Sequence, residues 1–237
     1  MANKIPATAV LTSITRRLER FLENAAIRVR DWYEPIAKQL LAGMAGREIR
    51  LIVDGSKVGF GHQLLVVALA YRRRSLPLCW TWVRGSRGHS STRTQLALLS
   101  YVQGLLPKDA KVLLIGDSEF GAVEVLKQLD AWRWKYVLRQ KSSHLVRAEE
   151  GTAWRPLGSF LTKAGQSLWL GRLQLTQLHA YAVNLLAHWQ VGEDEPWLLA
   201  TNLLSLREAL RAYARRMWIE AQWSTLRDVR RSQGQWF

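Results

Sequence analysis

Apolar positions along the chain fall into a few distinct rhythms. In residues 13–44, Ile14, Leu18, Phe21, Leu22, Ala25, Val29, Trp32 and Ile36 recur at three- and four-residue steps between Arg and Glu, the period of an amphipathic helix. Ser13 is placed as its N-cap, and Pro35 is expected to split it in two, because a mid-helix proline removes a hydrogen bond and crowds the preceding turn. The rhythm then changes. EIRLIVD (48–54), LLVVALAY (64–71) and LPLCWTWVR (76–84) read as three strands whose short Gly-, Arg- and Pro-containing connections favour an antiparallel meander. A helix is predicted over 90–106, stopped by Pro107, then a short buried strand over 111–115, a helix over 120–132 and a strand over 135–139. From 142 to 194 the pattern shortens to alternating segments such as 167–174 and 181–189, read as a mostly β insertion. A return strand over 195–202 and a long charged helix over 206–231 complete the chain.

Three strands, helix, strand, helix, strand is the order of the ribonuclease-H-like α/β fold, a mixed sheet flanked by helices. The expected organisation is an N-terminal helical region over 1–46 and a catalytic domain over 47–237 that carries the β insertion. Fold alone does not give function.

Charge narrows the picture. The 237 residues include 34 Lys and Arg against 19 Asp and Glu, a net charge of +15, which favours a polyanionic partner such as nucleic acid or an acidic membrane surface. The sole cysteine, Cys79, excludes an internal disulfide and a multi-cysteine zinc cluster. It suits a reducing cytoplasm. With no long apolar core at the start and no apolar run long enough for a bilayer, a soluble intracellular protein is expected. Most of the 12 tryptophans are expected in the core, with a minority beside Arg and Lys free to stack on bases.

Two acids stand out against this basic background. Asp54 follows Leu51-Ile52-Val53 and precedes Gly55, and Asp117 follows Leu113-Leu114-Ile115-Gly116. Each is expected at the carboxyl end of a buried strand, where open α/β sheets place their ligand sites; each could equally cap a turn. On the last helix, Tyr213, Arg216, Glu220 and Arg227 fall within an arc of about 60° at about 100° per residue. Trp218, Ile219, Leu226 and Val229 fall roughly opposite, toward the sheet or a neighbour. Such a charged face is commonly only solvated. Arg72, Arg73, Arg74, Arg84 and Arg87 read as one basic cluster around the second and third strands, suited to phosphate. His89 stands in a loop that could approach DNA, His62 lies near a turn, and Glu119 is expected at a helix start, where a carboxylate suits the dipole.

The spacing Tyr213-x2-Arg216-x3-Glu220-x6-Arg227 resembles the signature of DDE transposases of the insertion-sequence-four type, with arginine where that family has lysine. The blocks LIVDGSKVGFGHQLLVVALAYRRRSLPLCW and VLLIGDSEFG, and the stretch from Trp82 through Ser91, are similar to that family's segments in the same order. The resemblance implies a cut-and-paste DNA transposase in which Asp54, Asp117 and Glu220 hold two Mg²⁺ ions, with Mn²⁺ as a substitute. It implies Tyr213, Arg216 and Arg227 on phosphate, with Arg84, Arg87 and His89 as further DNA contacts. The partners are double-stranded DNA and, at synapsis, a second copy of the chain. The 103-residue step from Asp117 to Glu220 accommodates the β insertion of the hairpin-forming members, from which Trp169, Trp189 or Trp197 would receive a displaced base. Family members generally continue beyond this helix, and the N-terminal region here is short. The alternative expectation is therefore a truncated DNA-binding remnant or inhibitor.

Overall fold

Leu51–Val53, Val112–Ile115 and Tyr136–Leu138 are apolar on every side chain, and such runs are stable only as strands covered on both faces. The computed structural model, which describes residues 10–26, 28–58, 61–85, 88, 90–161 and 163–219, places all three at the centre of one sheet. In chain order the elements are α1 (Leu11–Glu23), α2 (Val29–Ala42), β1 (Ile49–Val58), β2 (His62–Tyr71), β3 (Arg74–Arg84), α3 (Thr92–Leu105), β4 (Val112–Gly116), α4 (Val123–Ala131) and β5 (Lys135–Arg139). There follow β6 (Leu145–Arg147), β7 (Arg155–Pro156), β8 (Ser167–Leu175), β9 (Tyr181–His188), β10 (Trp197–Thr201) and α5 (Leu206–Tyr213).

The ten strands lie in the order β3-β2-β1-β4-β5-β10-β9-β8-β6-β7. β1, β2 and β3 form the antiparallel meander, β4 and β5 run parallel to β1, and β10 closes antiparallel on β5. This is the ribonuclease-H-like mixed sheet with its flanking helices. The four strands between β5 and β10 in sequence extend the same sheet, because β10 pairs with β9 as well as β5. Alternation divides the core. Leu51, Val53, Leu114, Tyr136 and Leu138 face α2, α3 and α4, while Ile52, Ile115 and Val137 face α5 and the residues after it. Among the described residues no helix is long and apolar enough to cross a membrane.

Several expectations are corrected. The N-terminal helices divide not at Pro35, which lies inside α2, but after Glu23, where α1 ends. There Asn24 turns extended and its side chain accepts the Ala26 N–H at 3.0 Å, a local turn that competes with the helix. Ser13 lies inside α1 and Val10 is its N-cap residue. The apolar stripe of these helices is only partly used: Ile14, Ala37 and Leu41 are buried, whereas Phe21, Val29, Trp32 and Ile36 are exposed. The basic cluster also separates. Arg72 and Arg73 form the two-residue turn between β2 and β3 with φ of +45° and +64°, while Arg84 pairs with His62 at the opposite end of that ladder. The ladder is ten pairs long, so these arginines stand about 30 Å apart.

Candidate active site

β1 and β4 pair in parallel from Ile49 with Val112 to Val53 with Gly116. The next residue on each strand is an aspartate, Asp54 on one and Asp117 on the other. Residues paired in a parallel ladder point the same way, so the two carboxylates project side by side on the face of Ile52 and Ile115. Gly116 brings the strands to this point closely, since a Cβ there would lie 2.7 Å from Val53 Cγ1 and 2.9 Å from Leu138 Cδ2. Asp54 is not at the end of its own strand, as expected, but mid-strand. β1 continues to Val58 against β2, and it is the neighbouring β4 that stops, opening the sheet beside Asp54. Asp54 is 2% exposed, whereas the Asp117 side chain is a quarter exposed and accepts the Ser118 N–H at 2.6 Å.

The cation facing both acids comes from the end of the chain's described part. The expected continuous helix over 206–231 is interrupted: α5 ends at Tyr213, a 3₁₀ turn covers Ala214–Arg216, and residues 217–219 are helical again. Three residues per turn bring positions spaced by three into line, so Tyr213, Arg216 and Ile219 are all buried against the sheet. Ile219 and Trp218 therefore pack on the same sheet face as Asp54, not opposite the Tyr213–Arg216 stripe. Arg216 Nη1 lies 3.8 Å from Asp54 Oδ1 and 3.9 Å from Asp117 Oδ2. Tyr213 is placed in the core rather than on a phosphate-facing surface: its ring meets the Trp197 ring edge-on at 5.0 Å, and burial pushes its hydroxyl up to about 12.

Behind the acids, on the other sheet face, a polar clamp holds the Asp117 turn. Glu119 lies in the first turn of a 3₁₀ segment, but its carboxylate does more than face a helix dipole. It accepts from buried Gln63 Nε2 at 2.7 Å, from the Ser90 N–H at 2.9 Å and from the Ser90 hydroxyl. Gln95, buried at the start of α3, donates to the Glu119 carbonyl at 2.9 Å and to Ser90 Oγ at 2.9 Å. Gln63, Ser90 and Gln95 were not singled out from sequence. The one signal of Gln63 and Gln95 is a polar residue in an otherwise apolar strand or helix position, Ser90 lies in the loop before α3, and the Glu119 that joins them is 24 to 56 residues away.

Beside Asp117 a cleft of about 390 Å³ is lined by Ser118, Arg139, Gln140, Lys141 and Ser142. Arg139 is held there by Glu195 at 3.0 Å and the Pro196 carbonyl at 3.1 Å. Arg84 is exposed at the end of β3 and His62 is exposed at the start of β2. Of the three insertion tryptophans, Trp197 packs between His188 and Tyr213, and Trp189 donates to the Glu193 carbonyl. Trp169 is 37% exposed. Glu220, Leu226, Arg227, Val229, Arg87 and His89 lie outside the described residues. Among the described residues no cluster of three or more metal-ligating side chains forms.

No protein-family model matches the chain, and no curated protein does. Solved structures that align with this chain include a piggyBac transposase synaptic complex with hairpin DNA, 12% identical over 90% of this chain, TM-score 0.47. A Ciona intestinalis endonuclease V in complex with a 23-mer DNA is 11% identical over 76% of this chain and 86% of that one, TM-score 0.32. The Marinitoga piezophila Argonaute in complex with guide RNA and target DNA is 11% identical over 69% of this chain and 23% of that one, TM-score 0.31. This chain spans about half, 47%, of the length of the piggyBac transposase with which it aligns.

Proposed function

We propose that this chain cleaves DNA strands in a metal-dependent reaction and joins the freed 3′-hydroxyl to a second phosphodiester, the chemistry of a DDE transposase. The observation that carries the reading is the register of β1 on β4, which sets Asp54 and Asp117 side by side on one face. The pair suits a divalent cation: both acids are hard oxygen donors, and both already share one positive charge, that of Arg216. Asp54, Asp117 and, four residues beyond Arg216, Glu220 would hold Mg²⁺. When bound, the ions would stabilise the attacking and leaving oxygens of an in-line displacement at phosphorus.

The other residues position the DNA. Arg139 and Lys141, beside Asp117, would engage a backbone phosphate in the cleft. Arg84, Arg87, His89 and Arg227 would extend that contact, and the net charge of +15 makes the affinity fall steeply with salt. Under this reading residues 1–46 form a separate helical region, 47–237 the catalytic domain with its β insertion near 142–194, and two copies assemble on paired DNA ends.

The test is nicking of supercoiled plasmid by the purified chain with Mg²⁺ or Mn²⁺, beside Asp54→Asn, Asp117→Asn and Glu220→Gln. Metal-dependent nicking lost in all three variants is expected, with a supplied pre-cut 3′-hydroxyl end joined to target DNA. Nicking without joining would reduce the function to that of a nuclease. Salt-sensitive DNA binding with no nicking above the variants would leave a DNA-binding remnant.

A further inference from the structure

Two carboxylates on adjoining parallel strands stand about 4.8 Å apart at the backbone, and like charges that close repel strongly where water is excluded. Asp54 is buried, so solvent does little to relieve the repulsion. One cation relieves it for both acids, since the same nitrogen, Arg216 Nη1, lies 3.8 Å from Asp54 and 3.9 Å from Asp117. A guanidinium stays charged at any working pH. Its anchorage is firm, because Tyr213 and Ile219, three residues to either side, are buried in the two apolar clusters of that sheet face. Both distances nevertheless exceed the 2.7–2.9 Å of a closed charge-assisted hydrogen bond.

The geometry points to Arg216 as the resident counterion of the acid pair, a positioning residue that holds Asp54 and Asp117 together in the absence of metal and that a divalent cation displaces. This rests on the metal-binding reading of the two acids. A divalent ion held by the two carboxylates would bring twice the guanidinium's charge into direct contact with their oxygens, so it would win the competition. The guanidinium, released from the acids but tethered next to them, would be free to bind a backbone phosphate. Arg215, the adjacent residue, serves as the contrast: it is directed to the Arg211 carbonyl and lies near Arg50 and Glu48, not near the acids.

The experiment measures Mn²⁺ binding by the electron paramagnetic resonance signal of free Mn²⁺, and thermal unfolding in EDTA, with no DNA present. Arg216→Ala should bind Mn²⁺ about ten-fold more tightly or better, unfold at a lower temperature in EDTA, and recover on adding metal. Arg216→Gln, which keeps a polar group in place, should behave alike and serves if the alanine variant does not fold. Arg216→Lys and Arg215→Ala should stay close to the parent. General damage to the fold would weaken metal binding, so tightening is specific to competition. Equal or weaker binding by folded Arg216 variants, with binding still abolished by Asp54→Asn, overturns the counterion role alone. Absence of any Mn²⁺ binding sensitive to Asp54→Asn overturns the metal reading and the competition with it.

Discussion

Oε2 of Glu119 fills the space above Gly55: a Cβ on Gly55 would lie 2.8 Å from that oxygen and 2.1 Å from the Gln63 amide nitrogen bonded to it. Glycine at 55 is thus set by what packs on it from the Asp117 turn, and the backbone carrying one acid is in contact with the side chain two residues from the other. Gly55→Ala should cost about 1–3 kcal/mol, the usual range for forcing extra volume into a packed site. Nicking should fall with it, because the clamp that seats the Asp117 turn has to shift. Urea unfolding beside the plasmid assay checks both; a variant with parental stability would show that the clamp yields freely.

Removing Glu119 tests the same clamp from the other side. Glu119→Ala leaves the Ser90 N–H and the buried Gln63 amide without their acceptor, at about 1–3 kcal/mol for each buried group. Its nicking rate should drop while the Mg²⁺ concentration for half-maximal rate stays near that of the parent. A large rise in that concentration would make Glu119 a metal ligand instead.

Tyr213 separates a packing role from a DNA-contact role. Its hydroxyl is buried beside the Arg216 guanidinium, so Tyr213→Phe should cost no more than about 1 kcal/mol near pH 7. Burial raises the Tyr213 hydroxyl from its ordinary 10 to about 12, as it does for Tyr101 and Tyr181, so the folded state keeps protons that the unfolded chain releases. That stability is complete below pH 10 and is lost as pH rises from about 10 to about 12. Tyr213→Phe should make the loss shallower, as followed by unfolding between pH 8 and 12. Unchanged nicking by the variant would leave Tyr213 to packing; a large fall with intact stability would assign its hydroxyl to the DNA.

Two tryptophans of the same region should behave oppositely. Trp197 packs on both His188 and Tyr213, and Trp197→Ala is expected to cost about 3–5 kcal/mol. Trp169 is partly exposed on β8, and Trp169→Ala should cost under about 1 kcal/mol. Fluorescence-detected denaturation compares them. Comparable losses would place Trp169 in a core and exclude it as an exposed stacking platform.

Asp130 ties α4 to the far half of the sheet. Its carboxylate accepts from the Tyr136 hydroxyl at 3.2 Å, from the Tyr181 hydroxyl and from Asn202 Nδ2 at 2.9 Å. Asp130→Ala should therefore lower stability by about 2–4 kcal/mol and leave nicking per folded molecule at the parental rate. A specific loss of nicking at full stability would contradict a purely structural role.

The sheet was readable because its central strands are unbroken apolar runs with short connections, and the acids because each follows such a run. That they stand level with each other was not readable, since parallel register depends on a crossover helix and no local pattern encodes it. Pro35 misled because proline is a strong breaker in general, while the short-range hydrogen bond from Ala26 to Asn24 decided the actual break. The 3₁₀ turn at 214–216 has no sequence marker, so a regular 100° step was assumed across it. The clamp of Gln63, Ser90 and Glu119 joins residues 29 and 56 positions apart, beyond the reach of any periodicity.

β10 hydrogen-bonds to β5 on one side and β9 on the other, which makes the sheet a measuring device as well as a scaffold. From β4, which leads to Asp117, to β8, which carries Trp169, there are four strand spacings, about 19 Å in all. Whatever β8 touches is gauged against the acids by a continuous ladder rather than by a linker, so lengthening the loops around β8 would change what it touches without changing how far away it is.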